Sequence, residues 1–104
     1  MEFNEIKEIA ARYADIVRDE LGSDSSVYIF GSYVHGMARK GSDIDVAVVS
    51  SAFDKNYDEN RLKLWKLRRR VSSYIEPHGF RPVDFEDNAN PLAYEIRKTG
   101  VRIV

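Results

Sequence analysis

The feature that most narrows the fold is a pair of strand-like runs with little chain between them. Val27-Tyr28-Ile29-Phe30 is β-branched and aromatic and too short for a buried helix. Asp43-Ile44-Asp45-Val46-Ala47-Val48-Val49 alternates Ile44, Val46 and Val48 with Asp43, Asp45 and Ala47, the period of a strand. Only Gly31 to Ser42 joins the two. A connection this short, with strands this few, argues against a doubly wound parallel sheet. It predicts an α+β fold in which a small mixed β-sheet carries helices packed on one face.

The remaining elements follow from period and punctuation. Phe3, Ile6, Ile9, Ala10, Tyr13, Ile16, Val17 and Leu21 recur at three- and four-residue spacing, which predicts a helix over 3–21 ending near Gly22. After Gly31-Ser32, residues 33–38 are expected as a short helix, and Arg39-Lys40-Gly41-Ser42 as a reversal. Leu64, Leu67, Val71, Tyr74 and Ile75 predict a long helix over 57–75, stopped by Pro77 and Gly79. A third strand is expected over 80–86. Asn90-Pro91 then reads as a cap followed by first-turn proline, opening a helix that ends by Gly100 before a last strand over 101–104.

Bulk properties set limits. A chain of 104 residues, 43% of them hydrophobic, supports one core, so 1–104 is read as a single domain whose modest stability leaves room for a partner or an oligomer. Sixteen Lys and Arg against seventeen Asp and Glu give no overall attraction for a polyanion, so any phosphate must be met locally. The absence of cysteine rules out disulfides and thiolate metal sites. The opening MEFNEIKEIAARY has no uninterrupted apolar run, so neither a secretory signal nor a membrane span is expected, and a cytoplasmic location is the default.

Asp43 and Asp45, at i and i+2 of a strand, project from one side with Cα atoms roughly 6–7 Å apart. Two carboxylates so placed raise each other's proton affinity unless a cation lies between them, and a hard divalent ion such as Mg²⁺ suits them. An Asp-x-Asp alone is more often an acidic solvent face. Gly31-Ser32 shifts that balance: glycine after a buried strand lets backbone approach a ligand, free N–H groups attract phosphate, and the serine hydroxyl adds a donor.

The run from Phe30 to Asp45, FGSYVHGMARKGSDID, resembles the signature of the DNA polymerase beta-like nucleotidyltransferase superfamily: Gly-Ser, ten residues, then Asp-x-Asp, with Ser42 directly before the first aspartate. Among its members the chain is most similar to the minimal nucleotidyltransferases, and the likeness covers most of its length. The resemblance implies a nucleotidyltransferase fold, ATP or another nucleoside triphosphate held by Gly31 and Ser32 with Ser42 and Arg39 nearby, and two Mg²⁺ ions on Asp43, Asp45 and a third carboxylate. Asp84 is expected in that third role, with Glu86 as the alternative. Two such ions would sit about 3.5–4 Å apart.

The chain departs from the pattern at His35, where many members carry arginine; Arg39 is the candidate replacement cation, and His78 reads as structural. The resemblance further implies transfer of AMP to an acceptor hydroxyl, a tyrosine of a HEPN-type helical partner, in an antitoxin role. Two other readings stand beside it: a non-catalytic module that neutralises its partner by docking, and an enzyme that modifies a small molecule. The basic stretch Arg61 to Arg70 is read as a solvated helix face, or else as a docking surface for an acidic partner or a nucleic-acid acceptor.

Overall fold

The computed structural model describes all residues, Met1–Val104. Helix α1 (Phe3–Leu21) buries Ile6, Ala10, Tyr13, Ala14 and Val17 along one stripe and ends at Gly22. It is followed by β1 (Ser26–Phe30), β2 (Ile44–Val49), a single-turn α2 (Ala52–Lys55), α3 (Tyr57–Leu67) with a 3₁₀ turn over Arg68–Arg70, β3 (Ile75–Phe80), a single-turn α4 (Pro82–Phe85), α5 (Pro91–Thr99) and β4 (Val101–Arg102). No helix is long and apolar enough to cross a membrane.

The four strands form one mixed sheet in the order β3-β2-β1-β4, as the short link between the first two runs implied. β1 pairs antiparallel with β2 and with β4, whereas β2 pairs parallel with β3. On one face Val27, Ile29, Ile44, Val46, Val48 and Ile75 pack against α1, Phe53 of α2, and Leu64 and Leu67 of α3. Each such fully buried aliphatic side chain contributes about 1.5–3 kcal/mol. Tyr13 is fully buried here, and its hydroxyl donates to the Leu64 carbonyl at 2.8 Å, so its polar tip is satisfied. The C-terminal segment covers part of the other face, where Phe85, Ala93 and Ile96 pack against Phe30, Ala47 and Phe80.

Three local readings of the sequence are corrected. Residues 33–38 form consecutive turns, not a helix. The long helix breaks after Leu67, and the Arg68 guanidinium turns back to donate to the carbonyls of Ser73 and Ile75. The third strand is Ile75–Phe80 rather than 80–86, because Pro77 and Gly79 do not interrupt it.

The reason lies in the strand's place at the sheet edge. With only β2 beside it, the backbone of Pro77 points outward, where a missing N–H breaks no ladder bond. A Cβ on Gly79 would lie 2.6 Å from the Phe53 ring, so glycine is the residue that lets α2 close on the strand. The outward carbonyls are taken up by side chains: Tyr57 Oη donates to Gly79 at 2.8 Å and Arg68 to Ile75 at 3.3 Å. That edge is thereby blunted against adding another strand. Beyond it, Pro82 opens α4, which drives Phe85 into the second face with its ring 5.0 Å from Tyr28 and 5.5 Å from Phe80. Val83, beside Asp84 in this turn, is 63% exposed.

Candidate functional site

Register decides which side chains share the second face. Phe30 lies opposite Asp45, and Asp45 lies beside Glu76; one step along, Tyr28 lies opposite Ala47 and Ala47 beside His78. Side chains two apart on a strand share a face, so Asp45, Glu76 and His78 emerge together, each partly exposed, on the face where Phe85, Ala93 and Ile96 pack. His78 Nε2 is 3.7 Å from Asp45 Oδ1 and 4.0 Å from Glu76 Oε1. One donor atom from each of the three falls within 4.8 Å of the others, the spacing of a group that can hold a metal ion. Asp43, just before β2 and exposed, adds its negative charge beside Glu76.

The charges here crowd one another. Partial burial first, and then repulsion from Asp45 and Asp43, raises the Glu76 carboxyl above its ordinary range, with His78 opposing. His78 Nε2 is buried and makes no hydrogen bond, and its ring stands edge-on to Phe30 at 5.2 Å. An orphaned nitrogen facing two carboxylates is the donor set that a divalent cation would satisfy. The residues present therefore fit a metal.

Gly31 connects this cluster to the loop. It sits at φ +81°, in the left-handed region, and a Cβ there would collide with the Asp45 carboxylate. The chain thus turns directly over Asp45. Its turns are closed by the amides of Val34 and His35 donating to the Gly31 carbonyl, at 3.1 and 3.2 Å, and by Met37 donating to Ser32 at 2.9 Å. The amides of Ser32 and Tyr33 donate to no protein acceptor. Two free N–H groups and the Ser32 hydroxyl beside a carboxylate cluster are what a metal-bound phosphate requires, supplied by a turn rather than by the expected helix.

The other expected residues distribute as follows. Ser42 Oγ accepts from the Arg39 amide at 2.7 Å and so shapes the reversal before Asp43. Arg39 lines a cavity of about 520 Å³ together with Tyr33, Lys40 and Tyr74, beside the same loop. His35 is exposed and lies 3.7 Å from Glu95 of α5. Asp84 is not brought to the cluster. It lies in α4, eight residues on from Glu76 and past Phe80, the end of β3 that pairs with Val49; Phe80 is itself about 13 Å from Glu76 at the usual strand rise. There it is held by both guanidinium nitrogens of Arg81, at 2.8 and 3.0 Å, which pull its carboxyl below the usual range. Glu86 follows α4 on the same side.

The sequence reading missed Glu76 and His78 because it placed them after a helix end. The alternation Ile75-Glu76-Pro77-His78-Gly79-Phe80, apolar or small residues against polar ones, carried the signal once proline is allowed in an edge strand.

A sequence model described as a nucleotidyltransferase domain matches residues 10–89, a span containing the Gly31-Ser32 turn, both aspartates, Glu76 and His78. The chain belongs to this family. It is 30% identical over 61 residues to the protein adenylyltransferase MntA of Shewanella oneidensis, an alignment covering 59% of this chain and 40% of that protein. In fold it is similar to the crystal structure of a candidate nucleotidyltransferase from Sulfolobus solfataricus, with a TM-score of 0.57 at 20% identity over 98% of this chain and 86% of the other. Family membership gives the cluster its context: carboxylates converging under a phosphate-competent turn in a nucleotidyltransferase domain.

Proposed function

We propose that this chain transfers a nucleoside monophosphate, AMP from ATP, to an acceptor hydroxyl, with Asp43, Asp45 and Glu76 as the metal-holding carboxylates. The observation that carries the reading is the convergence of Asp45 and Glu76 beneath the Gly31-Ser32 turn and its two free amides. Glu76 takes the place first expected for Asp84.

In the reaction a bond forms between the acceptor oxygen and the α-phosphorus as the bond to the β-phosphate oxygen breaks, and pyrophosphate leaves. Asp43, Asp45 and Glu76 would hold a divalent cation, which would neutralise phosphate charge and ease ionisation of the acceptor. The Ser32 and Tyr33 amides and the Ser32 hydroxyl hold the terminal phosphates, where positioning supplies much of the rate. Glu76, on the outer strand, takes the acceptor's proton in this reading. Arg39, in the cavity beside the loop, adds the permanent positive charge that His35 does not.

The acceptor we favour is a protein, the class of substrate in the name of MntA, and specifically a tyrosine of a HEPN-type helical partner that this chain would neutralise as an antitoxin. The test is incubation of the purified protein with Mg²⁺, labelled ATP and the product of the neighbouring gene. Metal-dependent labelling of that product, abolished by Asp43→Asn/Asp45→Asn, is expected. Absence of labelling would refute the transfer, and neutralisation of the partner that survives the double substitution would show that docking alone suffices for the antitoxin role.

A further inference from the structure

We propose that His78 is itself a metal ligand through Nε2, so that the site has a mixed oxygen and nitrogen donor set and prefers a divalent ion of the zinc and cobalt class over Mg²⁺. The inference rests on the reading that the cluster holds the metal.

The geometry separates His78 from an ordinary hydrogen-bonding histidine. Its Nε2 is buried without a partner, yet the nearest carboxylate oxygens, at 3.7 and 4.0 Å, stand beyond hydrogen-bond reach. Three donors around a zinc-like ion, each bound at about 2.0–2.2 Å, lie roughly 3.3–3.6 Å apart in a tetrahedral arrangement. The two separations from His78, 3.7 and 4.0 Å, exceed that by a few tenths of an ångström, and all three donors lie within 4.8 Å of one another, so side-chain rotation would draw them onto an ion.

The ring is already aimed. It rises from β3 two residues after Glu76, beside Ala47, and it is held edge-on by Phe30 at an interplanar angle of 67°. A nitrogen so presented can pair with the two carboxylates as a protonated imidazolium or share a metal ion with them, and metal titration separates the two.

Ligand chemistry then sets the preference. Mg²⁺ takes oxygen ligands in near-octahedral geometry and keeps much of its water. Imidazole suits zinc, nickel, iron and copper, and affinities for such a site rise toward the end of the first transition row. Replacing an oxygen donor by imidazole therefore moves the site away from Mg²⁺.

The experiment titrates the full-length protein with Zn²⁺, Co²⁺ and Mg²⁺ separately, without nucleotide, by calorimetry, with Co²⁺ also followed through its visible absorption bands. The variant is His78→Phe, which keeps a ring against Phe30 and removes the nitrogen; thermal unfolding confirms that it folds, and His78→Gln is a second variant. In the wild type, Zn²⁺ and Co²⁺ are expected to bind tighter than Mg²⁺. In His78→Phe their affinity should fall by at least about 10- to 100-fold, the range that even outer-sphere partners of a metal site command. The Mg²⁺ affinity should change by no more than about threefold, since its ligands are oxygens. Unchanged Zn²⁺ and Co²⁺ binding in His78→Phe, or equal losses for all three ions, would overturn the role of His78 and leave the carboxylate site standing. A wild-type protein that binds none of the ions would overturn both.

Discussion

Gly31→Ala tests the link between the turn and the carboxylates, with Gly36→Ala as its control. Both glycines sit in the left-handed region, at φ +81° and +68°. They differ in what a Cβ would meet: the Asp45 carboxylate at Gly31, and nothing within 4 Å at Gly36. A left-handed alanine costs about 1–2 kcal/mol, and the stiffer unfolded chain returns about 0.4–1 kcal/mol. Gly36→Ala should therefore lose about 1 kcal/mol, a fall in Tm of about 4–8 °C for a domain of this size. At Gly31 the collision adds an overpacking term of about 1–3 kcal/mol, which at least doubles the loss if Asp45 stays in place.

If Asp45 instead swings aside, stability recovers but the metal site is lost. Metal affinity, measured by titration calorimetry, should then drop by tenfold or more, since every 1.4 kcal/mol is about a factor of ten. The two variants are compared by thermal unfolding with and without metal. Gly31→Ala indistinguishable from Gly36→Ala in both Tm and metal affinity would refute the claim that Gly31 is required by its approach to Asp45.

Other perturbations probe the rest of the site. Because the folded-state pKa of Glu76 is raised, the metal-free protein binds an extra proton relative to the unfolded chain. That contribution is fully present below the ordinary glutamate range, about 4.3, and is lost as pH rises through the folded-state value. Glu76→Gln should flatten this part of the pH–stability curve and abolish the rise in Tm on adding metal; an unchanged metal-induced rise would exclude Glu76 as a ligand. Asp84→Asn should leave metal binding and nucleotidyl transfer unaltered, because Asp84 serves only Arg81 at the far end of β3; a transfer rate reduced a hundredfold would contradict that placement. Arg68→Ala should lower Tm measurably, since Arg68 also lies over the Trp65 ring at 4.8 Å, whereas the exposed Arg69→Ala should not. Equal effects would show that Arg68 is another solvated charge of the basic face.

Much of the fold was legible along the chain because it is set by neighbours in sequence. The stripe of α1, the period-two alternation of β2 and the Asn90-Pro91 opening of α5 are local patterns, and each element formed where they predicted, with Asn90 Oδ1 accepting from the Ala93 amide at 3.2 Å. The spacing of Gly31-Ser32 from Asp43 and Asp45 is likewise a property of the sequence, and two strands joined by a short loop had to return the aspartates to the glycine.

What only the tertiary structure decided was which residues complete the cluster. Pro77 and Gly79 are breakers by local rules, and they are strand residues here because one faces an open sheet edge and the other lies under the Phe53 ring. Neither circumstance exists until the sheet and α2 are assembled. That shift of the third strand from 80–86 to Ile75–Phe80 carries Asp84 to the far end and sets Glu76 beside Asp45, with His78 next along the face. A strand's register with its partner depends on contacts between distant parts of the chain, so which side chains stand beside Asp45 was decided by packing rather than by motif.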